Sequence, residues 1–142
     1  DTDPVGKDDH QIGFAATEKF GASDHNFGAY CAGSDSVTIE LGHRKRFIEY
    51  GMSGGKPLVL EVYKNVVRST DNNDIIATVG CGRDITDNIF TMLKLAEMIC
   101  PKNVTQCPIV KEYLDKYLFE NIGIDNTLVD FYKYTRDKYY GE

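Results

Sequence analysis

Residues 89–99 have the sequence IFTMLKLAEMI, and they decide between two folds for the chain. Ile89, Met92, Ala96 and Ile99 recur at the three- and four-residue spacing of one helical face. Met, Leu, Lys and Glu also favour helices. The local pattern therefore predicts a helix, whereas a barrel built from the preceding strands requires a strand at this point.

The segments before residue 89 carry patterns typical of strands. Short apolar pieces broken by glycine, or alternating apolar and polar residues, predict strands at 12–32, 36–41, 46–51, 57–67 and 74–82. The glycine-rich stretch GMSGG and the polar stretch TDNND predict the turns between the last three of these strands. Successive strands at this spacing predict an antiparallel meander, which a closed barrel would complete.

The C-terminal part carries helical patterns. Pro108 is typical of a helix start, an apolar stripe follows it, and Gly123 is a good C-terminal stop. A second amphipathic piece at 126–140 is expected to be helical or extended.

The composition limits the class of protein. With 142 residues the chain is most simply one domain, 1–142, of which residues 1–11 are polar and are expected to be flexible. The net charge of -6 argues against a surface for nucleic acid or anionic membranes. No apolar stretch approaches the roughly 18–20 residues of a membrane span. We therefore expect neither nucleic acid nor a membrane span.

Cysteines and a sequon indicate an oxidising compartment. Cys31, Cys81, Cys100 and Cys107 suit two disulfides, with three pairings open. Asn103 begins an Asn-Val-Thr glycosylation sequon. The first residues, Asp-Thr-Asp-Pro, resemble the start of a mature chain after cleavage, or of a chain trimmed at this end. Together these features predict a secreted, extracellular glycoprotein with disulfide bonds.

Signatures of catalysis are mostly absent from the sequence. It contains no G-x-S-x-G, P-loop, H-E-x-x-H or G-x-G-x-x-G motif. His10, His25 and His43 lie in polar surroundings typical of exposed loops. The cysteines lack the spacing of a zinc site. We therefore expect no enzyme, no metal and no cofactor, and keep a small secreted hydrolase using His25 or His43 as a second alternative.

The tail and the last predicted hairpin resemble secreted lipocalins of the urinary, odorant-binding and allergen type. STDNNDIIATV (69–79) is similar to a turn and strand of that family, and GCGRDITDNIFTMLKLAE (80–97) to its last hairpin. The resemblance covers residues 55–136, and the chain lacks the Gly-x-Trp motif because it contains no tryptophan. In the tail it rests on Pro108, Lys111, Glu112, Gly123, Ile124, Asn126, Val129, Asp130, Lys133 and Arg136.

The resemblance implies a mainly β protein, a lipocalin-like antiparallel barrel with a C-terminal α-helix. Its function would be that of a secreted carrier or scavenger, which binds and transports a small hydrophobic or amphipathic molecule. Glu40 or Glu61 would pair with an amine, and Lys94 with a fatty acid. Strand alternation assigns the ligand-binding cavity lining to Tyr30, Ile39, Tyr63, Ile75, Ala77, Phe90 and Met92.

An α+β fold is the first alternative. It has an N-terminal antiparallel sheet and three C-terminal helices at about 84–99, 108–122 and 126–139. Such a secreted protein would act through its surface by protein–protein binding, as an inhibitor or effector. Residues 89–99 distinguish the two folds, since they form a strand in the barrel and a helix in the alternative.

Overall fold

The computed structural model describes residues 7, 9–21, 26–117 and 124–139. The chain forms two compact units. We call residues 1–84 the sheet unit and residues 85–142 the helical unit. Of the described residues 53% are helical, and their only sheet has three strands and is open. The mainly β barrel is therefore wrong, and the α+β alternative is confirmed.

The sheet unit contains two helices followed by an antiparallel meander. Its elements are α1 (Asp9–Phe20), α2 (Phe27–Leu41), β1 (Lys45–Ser53), β2 (Lys56–Arg68) and β3 (Ile75–Asp84). The strand order is β1-β2-β3, and both neighbouring pairs are antiparallel. Helix α1 packs on α2, and α2 packs on all three strands. The strands predicted at 46–51, 57–67 and 74–82 are confirmed, although β1 and β2 bury side chains on both faces and β3 is mostly exposed.

Both predicted turns join the expected strands. Gly54 and Gly55 connect β1 to β2 with φ of 58° and 82°, a left-handed conformation that glycine adopts without strain. In the polar loop after β2, Asn72 Oδ1 accepts a hydrogen bond from the Asp74 amide at 3.1 Å. Asn73 has φ of 62°, which Asn tolerates better than most residues. The polar residues therefore shape a hairpin loop between β2 and β3.

The strands predicted at 12–32 and 36–41 are wrong where the structure describes them, because α1 and α2 cover residues 12–20 and 27–41, while residues 22–25 lie outside the described part. Val37, Ile39 and Leu41 alternate as in a half-buried strand, yet they are 36%, 49% and 43% exposed. The buried side chains of α2 are Ser34 and Thr38, which lie four residues apart on one helical face. A helix that buries small polar side chains has no apolar stripe for the sequence pattern to detect.

The helical unit consists of α3 (Thr86–Ile99), a short 3₁₀ helix (Val104–Gln106), α4 (Pro108–Tyr117) and α5 (Asn126–Tyr139). Helix α3 confirms the local pattern at 89–99, and α4 begins at Pro108 as predicted. The predicted stop at Gly123 lies outside the described residues. The buried apolar side chains of this unit are Ile85, Ile89, Met92, Leu93, Ala96, Val104, Cys107, Val110, Ile124, Leu128, Val129 and Tyr132.

None of the helices in the described part of the chain is both long enough and apolar enough to cross a membrane. Residues 1–6 and 8, part of the segment expected to be flexible, lie outside the described residues, and α1 begins at Asp9.

Candidate functional site

A buried ionic cluster lies on the α2 side of the sheet. Lys64 Nζ donates hydrogen bonds to Asp35 Oδ1 at 2.8 Å and to the Cys31 carbonyl at 3.0 Å. It also lies 3.0 Å from Glu49 Oε1 in an ion pair. The ammonium group has three hydrogens, so each has an acceptor. The cluster therefore joins α2 to β1 and β2 at a point where an unpaired charge would be costly.

The cluster favours the charged form of its lysine. Burial lowers the pKa of Lys64, but the hydrogen bonds and charges of Asp35 and Glu49 outweigh burial and raise this pKa above its ordinary value of 10.5. Cys31 Sγ donates to Glu49 Oε2 at 3.3 Å, and Ser34 Oγ donates to Glu49 Oε1. A lysine held as a cation cannot take a proton from either group, so Lys64 serves here to fix the helix on the sheet.

A shallow cleft of about 480 Å³ lies beside this cluster, between α2 and β3, and we call it the α2–β3 cleft. Gly80 and Gly82 of β3 leave this space open, because neither has a side chain to fill it. A Cβ atom at Gly82 would lie 3.0 Å from the Glu61 carbonyl oxygen. The cleft is lined by Phe27, Cys31 and Asp35 of α2, Leu60, Val62 and Lys64 of β2, and Thr78, Gly80 and Gly82 of β3, among others.

Strand β3 forms an open edge next to the cleft. It is ten residues long and, among the described strands, pairs only with β2. Ile76 and Val79 are 65% and 56% exposed. Positions 75–82 contain no proline and no charged residue, the usual devices that protect an edge strand from pairing with another chain.

Asp35 lies where the cleft meets this edge. Lys64 and Thr78 both donate to its Oδ1, at 2.8 Å and 3.2 Å, so that its Oδ2 has no donor among the described residues. The side chain is 26% exposed. Two carboxylates and one ammonium group leave the cluster with a net negative charge. A cationic group or a hydrogen-bond donor is therefore the favoured partner at this end of the cleft.

Glu61, expected to pair with a ligand amine, is occupied by two arginines. Its Oε1 lies 3.2 Å from Arg46 Nε, and its Oε2 lies 2.5 Å from Arg83 Nε. The Arg46 guanidinium also lies over the Tyr63 ring, 4.3 Å from its centroid. Glu40, the other expected amine partner, is exposed on α2.

The barrel that would bring the predicted cavity residues together is absent, and these residues fall in both units. In the sheet unit, Tyr30 packs on Tyr50 with ring centroids 4.6 Å apart, and Ile39 is exposed. In the helical unit, Met92 is buried in the core. By chain position, Tyr30 and Ile39 lie on α2, Tyr63 on β2, Ile75 and Ala77 on β3, and Phe90 and Met92 on α3.

A second concave surface lies within the helical unit, between α3 and α5. This α3–α5 groove has a volume of about 560 Å³ and includes Phe90 and Lys94, both named from the sequence as ligand contacts. Tyr132, which the sequence did not indicate, meets Phe90 edge to face with centroids 5.4 Å apart. The groove is lined by Asp87, Phe90, Thr91, Lys94, Glu97, Met98, Tyr132 and Arg136.

The cysteines, the sequon and the histidines are the remaining residues that the sequence analysis singled out. All four cysteines are free thiols in the structure, with Cys81 exposed and Cys107 buried. Asn103 is exposed, and its Oδ1 lies 3.4 Å from Thr105 Oγ1. His43 is exposed, whereas His25 and the His10 side chain lie outside the described part of the chain. Among the described residues, His, Cys, Asp and Glu side chains form no group able to hold a metal ion.

Comparison of the chain with protein-family models, with curated proteins and with solved structures finds no match. The resemblance of the tail to secreted lipocalins therefore stays a prediction, while the barrel that it implies is wrong.

Proposed function

We propose that the sheet unit binds an extended, basic segment of a partner protein along β3. The open edge of β3 carries this proposal, because residues 75–82 of this exposed strand have no charge or proline to protect them and offer main-chain donors and acceptors to another strand. This function belongs to the class expected for the α+β alternative, protein–protein binding by an inhibitor or effector.

The α2–β3 cleft would supply specificity. Side chains of an added strand alternate between the two faces of the sheet, so every second one lies on the α2 side. The space left by Gly80 and Gly82 accepts the apolar part of one such side chain. Asp35 Oδ2 would accept a hydrogen bond from its cationic end, which makes lysine or arginine the preferred residue. The net charge of -6 adds a general attraction for a basic partner.

The test begins with a phage-displayed library of random peptides selected on the whole chain. Selected peptides should be extended and should share a basic residue. Each is then synthesised with single N-methyl groups at successive positions and titrated calorimetrically. We expect loss of binding at every second position, because only alternate amides of an added strand face β3. N-methyl effects without this alternation would contradict strand addition.

A second candidate function, binding of a small amphipathic acid, is favoured by the α3–α5 groove. Phe90 and Met98 offer apolar contacts there, and Lys94 offers a cation to a carboxylate. Displacement of a fluorescent fatty acid would measure such binding. K94Q should weaken it, and K102Q, at an exposed lysine outside the groove, is the matched control. Equal affinities of the two variants would reject this site.

A further inference from the structure

Cys100 and Cys107 lie together at the junction of α3 and α4. The Cys100 amide donates to the Ala96 carbonyl at 2.7 Å, which fixes Cys100 to the last turn of α3. The Lys111 amide donates to the Cys107 carbonyl at 3.2 Å, which fixes Cys107 to the first turn of α4. Between them, the Asn103 amide donates to the Cys100 carbonyl and the Cys107 amide donates to the Val104 carbonyl, both at 3.1 Å. The two cysteines therefore lie at the two ends of one short, hydrogen-bonded turn, which joins helices that pack against each other.

From this placement we propose that Cys100 and Cys107 form a disulfide, and that Cys31 and Cys81 do not pair with each other. The sequence left three pairings open, and the proposal selects one bond among them. It is independent of the proposed partner binding, which concerns the sheet unit. Interaction with the Cys107 side chain, followed by burial and the charge of Cys107, raises the pKa of Cys100, in keeping with the closeness of the two residues.

The sheet separates Cys31 from Cys81. Cys31 lies on the α2 side, where its Sγ donates to Glu49 Oε2. Gly80 faces the same side, because a Cβ atom there would lie 3.5 Å from Lys64 Cγ. Successive residues of a strand point to opposite faces, so the Cys81 side chain lies on the other face, opposite Tyr63 in the register. Both residues border the α2–β3 cleft, but a bond between Cys31 and Cys81 would have to reach around the open edge of β3.

The exposures of the two sulfurs set the order of the reaction. Cys100 is half-buried and Cys107 is buried, so a disulfide oxidant such as oxidised glutathione meets Cys100 first. The Cys100 sulfur attacks the oxidant, forms a mixed disulfide and releases one glutathione. Cys107 then attacks the Cys100 sulfur and releases the second. Two protein S–H bonds are replaced by one S–S bond, and the two electrons and two protons leave in the two glutathione thiols.

Trypsin places each of the four cysteines on a different peptide, so the linked peptides of one digest show which cysteines are paired. Its sites place them on peptides 20–44, 69–83, 95–102 and 103–111. The full chain, produced without glycosylation, is equilibrated with oxidised and reduced glutathione, alkylated under denaturing conditions and digested without reduction. We expect one linked species, 95–102 joined to 103–111, and no species that joins 20–44 to 69–83.

The variants give matched controls. C81S removes the exposed thiol of β3 and should leave the linked species unchanged, whereas C107S should abolish it. The proposal is overturned if Cys100 and Cys107 are both recovered as alkylated thiols at every glutathione ratio, or if either is linked to Cys31 or Cys81. The digest of the unmodified sequence decides this even if C107S does not fold.

Discussion

Lys64 Nζ lies 3.0 Å from Glu49 Oε1, and the two side chains are only 6% and 3% exposed. This pair bridges β1 and β2, while the bond from Lys64 to Asp35 extends it to α2. A covered sheet face usually meets a helix through apolar side chains. Here the buried side chains of α2 are Ser34 and Thr38, and Ser34 donates to Glu49 of β1, so charge and hydrogen bonding replace part of the apolar packing.

We predict that K64M destabilises the fold strongly. The substitution keeps the length of the side chain but leaves the Glu49 carboxylate buried without its counter-ion, at a cost of about 3 kcal/mol in the free energy of unfolding. Urea denaturation measures this difference. Lys45 is the control, because it pairs with Lys64 in the register but is exposed. K45M should change the free energy of unfolding by less than about 0.5 kcal/mol, and equal effects of the two variants would contradict the role of the buried pair.

The two glycines of the α2–β3 cleft should respond differently to alanine. A Cβ atom at Gly82 would lie 3.0 Å from the Glu61 carbonyl oxygen, whereas the nearest atom at Gly80 would be 3.4 Å away, an ordinary contact. We expect G82A to destabilise by about 1–3 kcal/mol through overpacking. G80A should be neutral or stabilising by up to about 1 kcal/mol, because alanine restricts the unfolded chain.

The same pair of variants tests the cleft as a binding site. G80A places a methyl group beside Val62 and Lys64 without unfolding the protein, so it should weaken any peptide selected on the sheet unit. Calorimetric titration of G80A measures the change. A matched control is G33A on α2, where the added methyl group has nothing within 4 Å. If G80A binds a selected peptide as tightly as G33A does, the peptide does not use the cleft.

Local patterns predicted the helical unit better than the sheet unit. Helix α3 packs one apolar face into a core, so the spacing of Ile89, Met92 and Ala96 was sufficient to identify it. Helix α2 has no such face, and the alternation of Val37, Ile39 and Leu41 therefore indicated a strand. The barrel required strands to close over long sequence distances, which a local pattern cannot establish.

The candidate site was harder to predict from the sequence than the fold was. Asp35 lies 29 residues from Lys64 and 43 residues from Thr78 in the chain, and only the packing of α2 on the sheet brings the three together. No short motif marks them, since an aspartate, a lysine and a threonine at these spacings are common in any sequence. Phe90 and Lys94 share a groove because they lie four residues apart on one helix, a relation that sequence spacing does contain.

Tyr132 should titrate at unusually high pH. Burial, followed by the charge of Glu97, raises its pKa above the ordinary value of 10.0, while Arg136 partly opposes this. A folded pKa that is higher than the unfolded one means that folding favours the neutral phenol. The stability that this contributes is fully present below about pH 10 and is lost as the pH rises through the folded pKa.

Ultraviolet absorbance of tyrosinate, measured as the difference between the unmodified chain and Y132F, isolates this titration from those of the other tyrosines. Substitutions of its two charged neighbours should shift the pKa of Tyr132 in opposite directions. E97Q removes a negative charge and should lower the pKa of Tyr132, whereas R136Q removes a positive charge and should raise it. Shifts of the same sign in both variants would contradict the assigned causes.

Asn103 should carry a glycan when the chain passes through a eukaryotic secretory pathway. The side chain is exposed, and the Thr105 hydroxyl lies 3.4 Å from its Oδ1, so the acceptor amide and the hydroxyl of the sequon are adjacent in the folded loop. N103Q and T105A should each remove the mass increment that enzymatic deglycosylation also removes. N88Q, at an exposed asparagine outside any sequon, should retain it. A chain secreted in good yield without a glycan would show that this loop is not accepted, and the Asn-Val-Thr sequence would lose its value as a sign of an extracellular protein.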